Sequence, residues 1–341
     1  LVGKWGLGNA GTPGDPLRQG FDEYYGYTDQ VLAHNAFPEY LLRNGEKEFL
    51  PNEARYLPEV EWAKGLGSYS TVKKAFSNDL FTAEALKFIE KNKSRPFFLY
   101  LAYTVPHDNG EAPEGQRIEA PDAGVYADRT DWAPDQRRYA AAVTRMDSAV
   151  GVLRRQLESL AIAGNTLLVF ASDNGPHGAD EYGMSLFGSG GGLRGRKRDL
   201  YEGGTRVPML ACWPGRIRPG RVSGHPSALW DFLPTACELA GVKPPAATDG
   251  ISYLPELLGK KQPSHPHLYW ELHDGGKKQA VRWGDWKGVK VHDRPNPPLE
   301  LYDLKTDPSE RNNVAARHRE IVQRIEEYLK KSRTEDANWP L

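Results

Sequence analysis

The sequence predicts an α/β fold. A mostly parallel central sheet is sandwiched by helices, and a smaller C-terminal antiparallel sheet with one helix follows. Three observations predict it. First, Leu168–Gly175 is a short apolar run that ends abruptly in Asp173-Asn174-Gly175, the pattern of a buried strand, central in a parallel sheet. Second, a long amphipathic helix pattern beginning at Pro134 leads straight into that strand. With the apolar run Pro96–Tyr103 before it, the order strand, helix, strand predicts a right-handed crossover. Third, the last part of the chain alternates in strand-like fashion at 267–272, 279–291 and 299–304, then turns helical at 314–331.

The chain's 341 residues, 39% of them hydrophobic, suffice for one large domain and a smaller one. Prolines and lysines between 255 and 266 place the expected boundary there, giving a catalytic α/β domain at 1–262 and an α+β subdomain at 263–341. A formal net charge of -1 argues against a nucleic-acid partner bound by bulk charge. Two cysteines, Cys212 and Cys237, make no disulfide framework. No apolar run reaches membrane-spanning length. The chain opens at Leu1 with residues that read as domain interior, so the sequence is expected to be an N-terminally truncated fragment.

Taken in order, Leu1–Gly8 reads as a strand end running into a glycine-rich turn that carries Lys4. Residues 9–75, rich in Gly, Pro and aromatics, read as long ordered loops of the kind that build a substrate cleft. His34 falls within them. A helix is expected over Ser77–Asn92, with Ser77 or Asn78 as N-cap and Leu80, Ala83, Leu86 and Ile89 on one face. The strand Pro96–Tyr103 ends in Thr104-Val105-Pro106-His107. In the Pro134 helix, Tyr139, Val143, Met146, Val150, Leu153, Leu157 and Leu160 form one stripe. A second glycine-rich region, Gly188–Gly195, precedes Arg196-Lys197-Arg198, and Glu202-Gly203-Gly204 precedes a strand at Val207–Trp213.

In open α/β sheets ligands sit beyond the carboxyl ends of the strands. Asp173 and Asn174 therefore bring a carboxylate and a carboxamide to that edge, both hard oxygen donors suited to Ca²⁺ or Mg²⁺. Asp-Asn-Gly is equally ordinary turn chemistry, and on this segment alone both readings stand.

The ordered set of motifs resembles the type I sulfatases of the alkaline-phosphatase-like superfamily. It comprises Gly3-Lys4-Trp5, Pro106-His107, Ser172-Asp173-Asn174-Gly175, Leu193-Arg194-Gly195-Arg196-Lys197, Glu202-Gly203-Gly204 with Arg206-Val207-Pro208, and Leu301-Tyr302-Asp303-Leu304 with Asp307-Pro308. The resemblance implies hydrolysis of sulfate esters by a formylglycine nucleophile with a Ca²⁺ ion, and a periplasmic or secreted protein. It casts Asp173 and Asn174 as metal ligands, and Lys4, His107 and Lys197 as sulfate-contacting cations and leaving-group acid. Such groups suit a transition state that places charge on the departing oxygen.

Three departures accompany it. Gly6 stands where many members carry a histidine; some carbohydrate sulfatases share this glycine together with Gly20-Phe21-Asp22 and Ala33-His34. The formylglycine motif and an aspartate pair of the metal site are expected upstream of Leu1. Cys212-Trp213-Pro214-Gly215-Arg216 fits C-x-P-x-R literally but sits where the family has an apolar strand and a Trp-Pro-Gly turn, so it is read as a buried strand-end cysteine. The expected substrate is a sulfated carbohydrate. Alternatives are a phosphohydrolase or phosphonate hydrolase of the superfamily and a non-catalytic glycan-binding remnant. His34 is expected to supply the missing imidazole or to bind the sugar, against a plain loop histidine bonded to backbone. His177, just past the metal pair, is a second substrate-contact candidate.

Overall fold

The computed structural model describes residues 1–62 and 64–341. It divides into two compact units, Leu1–Ala163 with Ala179–Gly183, and Gly164–Gly178 with Met184–Leu341. The boundary expected after Gln262 falls inside the second unit. Among the described residues no helix is long and apolar enough to cross a membrane.

Among its described residues the first unit contains β1 (Val2–Lys4), β2 (Tyr25–Tyr27), β3 (Tyr40–Arg43), β4 (Glu46–Phe49), β5 (Glu53–Tyr56), α1 (Glu59–Trp62), β6 (Ser68–Val72), α2 (Ser77–Asn92), β7 (Leu101–Ala102) and α3 (Pro134–Ser159). Its main sheet runs β4-β3-β2-β1-β7. The β2-β1-β7 part is parallel, and β3 and β4 extend it as an antiparallel hairpin. Gly3 makes the parallel part possible. Its φ is +111°, and a Cβ there would lie 2.0 Å from the Ala102 carbonyl oxygen.

Val2, Tyr25, Tyr27, Leu41 and Phe81 bury this sheet against α2. Ala85 and Ile89 of α2 meet Leu153 and Leu157 of α3. The expected span of α2 matches the observed one, but its buried stripe is Phe81, Ala85 and Ile89, while Ala83 faces solvent. Four-residue steps through Phe81 win because a phenylalanine fills the space under β2 that an alanine cannot. Neither Ser77 nor Asn78 caps the helix, since Phe76 occupies the cap position. Residues 9–75 are not uniform loop: β2 to β6 all lie there. These strands have three to five residues each, too short to show a period of two between glycines and prolines.

The second unit contains β8 (Leu168–Ala171), α4 (Met184–Phe187), α5 (Glu202–Thr205), β9 (Met209–Cys212), α6 (Phe232–Ala240), α7 (Leu254–Leu257), β10 (Leu268–Leu272), β11 (Lys278–Trp283), β12 (Trp286–Val291), β13 (Glu300–Asp303) and α8 (Arg319–Ser332). The strands β10 to β13 form an antiparallel meander in sequence order. Helix α8 covers it, with Ile325 and Leu329 set into Val281, Leu299 and Leu301. This is the C-terminal antiparallel sheet with one helix that the sequence predicts.

The run at Leu168 departs from expectation. β8 is not a buried central strand of a parallel sheet; it pairs antiparallel with β9 in a two-stranded ribbon. Its residues are half-buried, with Ala171 exposed. Apolar composition reports a tendency to be covered, and a ribbon of two strands covers little.

Candidate functional site

In the first unit, Lys4 ends β1 and His107 follows β7, so both leave the carboxyl ends of adjacent parallel strands. The segment between β7 and His107 is held by α2. Asn78 Oδ1 accepts from the Thr104 amide at 2.9 Å, and its Nδ2 donates to Thr104 Oγ1 at 2.9 Å. The His107 amide then closes a turn onto the Thr104 carbonyl at 3.0 Å.

His34 ends a short 3₁₀ turn, Leu32–His34. Asp29 Oδ1 fixes the start of that turn by accepting from the amides of Val31 and Leu32, each at 2.8 Å. Fully buried Asn35 fixes its end: Nδ2 donates to Ser68 Oγ and Ser70 Oγ at 3.2 and 3.0 Å. Tyr27 Oη donates to the Asn35 carbonyl at 2.7 Å. The turn so held places the His34 ring flat on the His107 ring, with centroids 4.9 Å apart and planes 9° from parallel. Of the expected site residues in this unit, the structure thus brings His34 and His107 into contact.

Sequence reasoning missed Glu111. Its side chain is fully buried, and Oε1 lies 3.1 Å from His34 Nδ1 while accepting from the Gly67 amide at 2.5 Å. An accepting oxygen at Nδ1 makes that nitrogen the donor, which assigns proton exchange to Nε2. His107 is oriented in the same sense, with Nδ1 2.7 Å from the Asp108 carbonyl oxygen. The signal that could have found Glu111 is a carboxylate inside a loop of prolines, glycines and polar residues, four positions after a histidine. Gly6 has φ +75°, and a Cβ there would meet Gln30 Oε1 at 2.6 Å, so the Gln30 side chain adjoins the position where many family members carry their histidine.

In the second unit, the turn after β8 carries exposed Asp173, half-buried Asn174 and exposed His177. Ser172 Oγ donates to the Asn174 carbonyl at 2.9 Å, and Asn174 Nδ2 donates to the Gly175 carbonyl at 3.0 Å. The Asn174 amide is thereby oriented, with Nδ2 committed to backbone. Gly175 rests on α5: its amide donates to the Gly204 carbonyl at 3.1 Å. A Cβ at Gly175 would come within 2.0 Å of the Gly203 carbonyl, so only glycine allows this approach. The Lys197 amide donates to the Pro176 carbonyl at 2.9 Å, which brings half-buried Lys197 beside the turn of Asp173, Asn174 and His177.

Beneath these loops lies a buried charge cluster. Lys287 Nζ donates to Glu202 Oε1 at 2.8 Å and stands 3.5 Å from Glu310 Oε1. Glu310 Oε2 accepts from the Glu202 amide at 2.6 Å, and the Gly203 amide donates to the Arg194 carbonyl at 2.6 Å. Burial pushes the Glu310 carboxyl above its ordinary range, against the pull of Lys287.

As a metal centre, Asp173 and Asn174 supply one carboxylate and one amide oxygen, the hard donors calcium takes, though far fewer than its usual six to eight. Among the described residues no group of three or more His, Cys, Asp or Glu is arranged to hold a metal. Two such oxygens are the right donor type for calcium but do not by themselves make a site for it. Cys212 is the last residue of β9, and the following Trp213 to Arg216 segment forms a turn closed by the Arg216 amide on the Trp213 carbonyl at 3.0 Å.

Against known proteins, residues 1–242 match the Sulfatase family, and residues 195–335 match the N-sulphoglucosamine sulphohydrolase C-terminal family. N-acetylgalactosamine-6-sulfatase of Canis lupus familiaris is 33% identical over 84% of this chain and 51% of its own length. N-acetylgalactosamine-6-O-sulfatase of Bacteroides thetaiotaomicron is 30% identical over 82% of this chain and 55% of its own. The chain therefore spans about half the length of the curated relatives it matches. Among solved structures, Ps i-CgsB in complex with k-i-k-neocarrahexaose aligns with a TM-score of 0.71 at 27% identity, covering 97% of this chain and 70% of that one.

Proposed function

Since this chain belongs to the sulfatase family, we propose that the native protein hydrolyses a sulfate ester of a carbohydrate. The observation that carries the reading is the stacked His34–His107 pair at the end of the β1 and β7 edge that also bears Lys4. Two oriented imidazoles, one of them following a strand adjacent to the one that ends in Lys4, suit an anionic ester whose leaving group needs a proton. That the named relatives act on or bind sulfated sugars supports the substrate class.

In this reading Lys4 contacts the sulfate oxygens and stabilises charge that grows on them; for Lys197, in the second unit, the same role rests on the family resemblance alone. His107 protonates the departing sugar oxygen from Nε2, its Nδ1 being committed to the Asp108 carbonyl. His34, backed by Glu111, handles the second proton or bonds the sugar, and His177 contacts substrate. Asp173 and Asn174 would supply two oxygen ligands to a calcium ion, which when bound would neutralise sulfate charge. Formylglycine supplies the nucleophilic oxygen in this reaction class. We do not assign it to Cys212, which ends a strand whose following turn is closed by backbone.

Parallel assays of the native protein with 4-nitrophenyl sulfate and 4-nitrophenyl phosphate test the class. Sulfate release in excess of phosphate release is expected. Preferential phosphate release would move the protein to the phosphohydrolases of the superfamily, and release of neither, with glycan binding retained, would make it a binding protein.

A further inference from the structure

A cleft of about 330 Å³ opens in the first unit, beside the turn that carries His34. That is within the usual range for a small-molecule site. Aromatic rings form part of its wall, Tyr40 on β3, Tyr56 at the end of β5 and Trp62 at the end of α1, and Asp29, whose Oδ1 is taken up by the Val31 and Leu32 amides, also lines it. The Tyr56 and Trp62 rings stack with centroids 6.4 Å apart and planes 30° from parallel. Trp62 is fixed in place, because Nε1 donates to the Leu57 carbonyl at 2.9 Å. Lys47 also lines the cleft, with Nζ 4.1 Å from the centre of the Tyr40 ring. It makes no ion pair among the described residues.

The inner end of the cleft reaches the His34 turn. Leu32, the first residue of that turn, lines the cleft, as does Ser68, whose Oγ accepts from Asn35. Gly67, next to Ser68, donates to Glu111. The cleft and the His34–Glu111 pair therefore share two backbone segments.

We propose that this cleft is a glycan subsite, holding the pyranose unit next to the one that carries the reacting ester. Flat aromatic walls suit the C–H faces of a sugar ring, because the negative face of the ring attracts polarised hydrogens. Rings already fixed in position lose little freedom on binding. Lys47 receives an anionic substituent of the same unit, a sulfate or a uronic carboxylate, both of which suit a strongly hydrated point charge. The choice of ligand rests on the hydrolase reading; the cleft and its walls do not.

Calorimetric titration of the native protein distinguishes the two. The probes are chondroitin 6-sulfate tetrasaccharide, its desulfated form, which keeps the carboxylates, and a κ-carrageenan tetrasaccharide, which carries sulfate alone. At least one is expected to bind, and Trp62→Ala is expected to weaken it about tenfold, as loss of a buried aromatic anchor commonly does. Trp62→Phe restores most of the loss. Lys47→Ala weakens the sulfated probe, the carboxylated probe or both, which identifies the anion. The ratio of kcat/KM on the tetrasaccharide to that on 4-nitrophenyl sulfate falls in Trp62→Ala by the same factor. Binding by none of the probes, or binding unchanged in Trp62→Ala, overturns the subsite. Trp62-dependent binding with no sulfate release from any ester keeps the subsite and removes the hydrolase reading. Sulfate release with an unchanged ratio does the reverse.

Discussion

Glu111 and His34 are 77 residues apart in sequence and 3.1 Å apart in space. One carboxylate oxygen serves both the His34 ring and the Gly67 amide, so Glu111→Ala removes the shared acceptor of two hydrogen bonds from a buried position. Unsatisfied, the Gly67 amide costs about 1–3 kcal/mol of stability. The imidazole also loses the partner that fixes its tautomer. We expect kcat/KM to fall about tenfold or more in Glu111→Ala, or about 1.4 kcal/mol of transition-state stabilisation. Glu111→Gln retains an acceptor and should fall less. Nitrogen-15 NMR of the histidine rings checks the cause: His34 should carry its hydrogen on Nδ1 in the native protein and lose that preference in Glu111→Ala. An unchanged tautomer would confine Glu111 to a structural role. For the lysines, Lys4→Ala and Lys197→Ala should each cost about 3 kcal/mol, near a hundredfold in kcat/KM, and Lys197→Arg should recover only part of it. A change below a few-fold would place that lysine outside the sulfate contact. The positions of Lys4, His107, Asp173 and Asn174 at or after strand ends were legible because each follows an apolar run, whatever their roles. Glu111 sits in a loop without period, where only the folded chain reveals its partner.

At the scale of elements, helix lengths were legible and their attachments were not. The span of α2 follows from composition and spacing, yet its Asn78 does not do the capping its position suggests. The same side chain that competes for a cap instead satisfies the amide and hydroxyl of Thr104, and so anchors the strand that delivers His107. Two uses were open to one amide, and tertiary contact decided between them. Asn78→Ala should therefore destabilise the protein by about 1–3 kcal/mol, since it leaves the buried Thr104 amide unpaired. It should also lower kcat more than it raises KM, because it loosens the proton donor rather than a binding contact. Urea denaturation and steady-state kinetics would read both, and a fall in stability with kcat intact would show that His107 does not depend on this anchor. Likewise, the apolar run at Leu168 correctly announced a strand and the turn of Asp173, but not the strand's partner. Pairing depends on which other strand arrives, and no feature within the run encodes that.

For the second unit as a whole, the C-terminal meander was legible because β10, β11 and β12 are rich in Trp, Tyr and Val and α8 has one apolar side. Its tie to the Asp173 and Lys197 loops was not, since it runs through a lysine and two glutamates that sequence alone places on solvated surfaces. Lys287 and Glu310 are fully buried and Glu202 nearly so. Among the described residues Lys287 is the one cation within 3.5 Å of both carboxylates; Arg206, on the exposed side, comes within 3.8 Å of Glu202. Removing the lysine strands two buried carboxylates, so Lys287→Met should cost about 3–5 kcal/mol near neutral pH. The pH dependence follows from Glu310, whose carboxyl burial raises above the ordinary 4.5. Below 4.5 both folded and unfolded chains hold this proton, and the group does not discriminate between them. As pH climbs past 4.5 the unfolded chain ionises first, so the folded state loses stability until pH passes the raised native value. Glu310→Gln keeps an acceptor for the Glu202 amide but cannot ionise. Its melting temperature should gain on that of the native protein as pH rises from 4.5 towards 8. Lys287→Met should show the opposite contrast, recovering part of its loss at pH 5, where protonation removes the stranded charge. Thermal melts of the three proteins across that range decide it. Parallel curves for Glu310→Gln and the native protein would mean that Glu310 titrates alike in both states, and that the cluster binds these loops by shape rather than by charge.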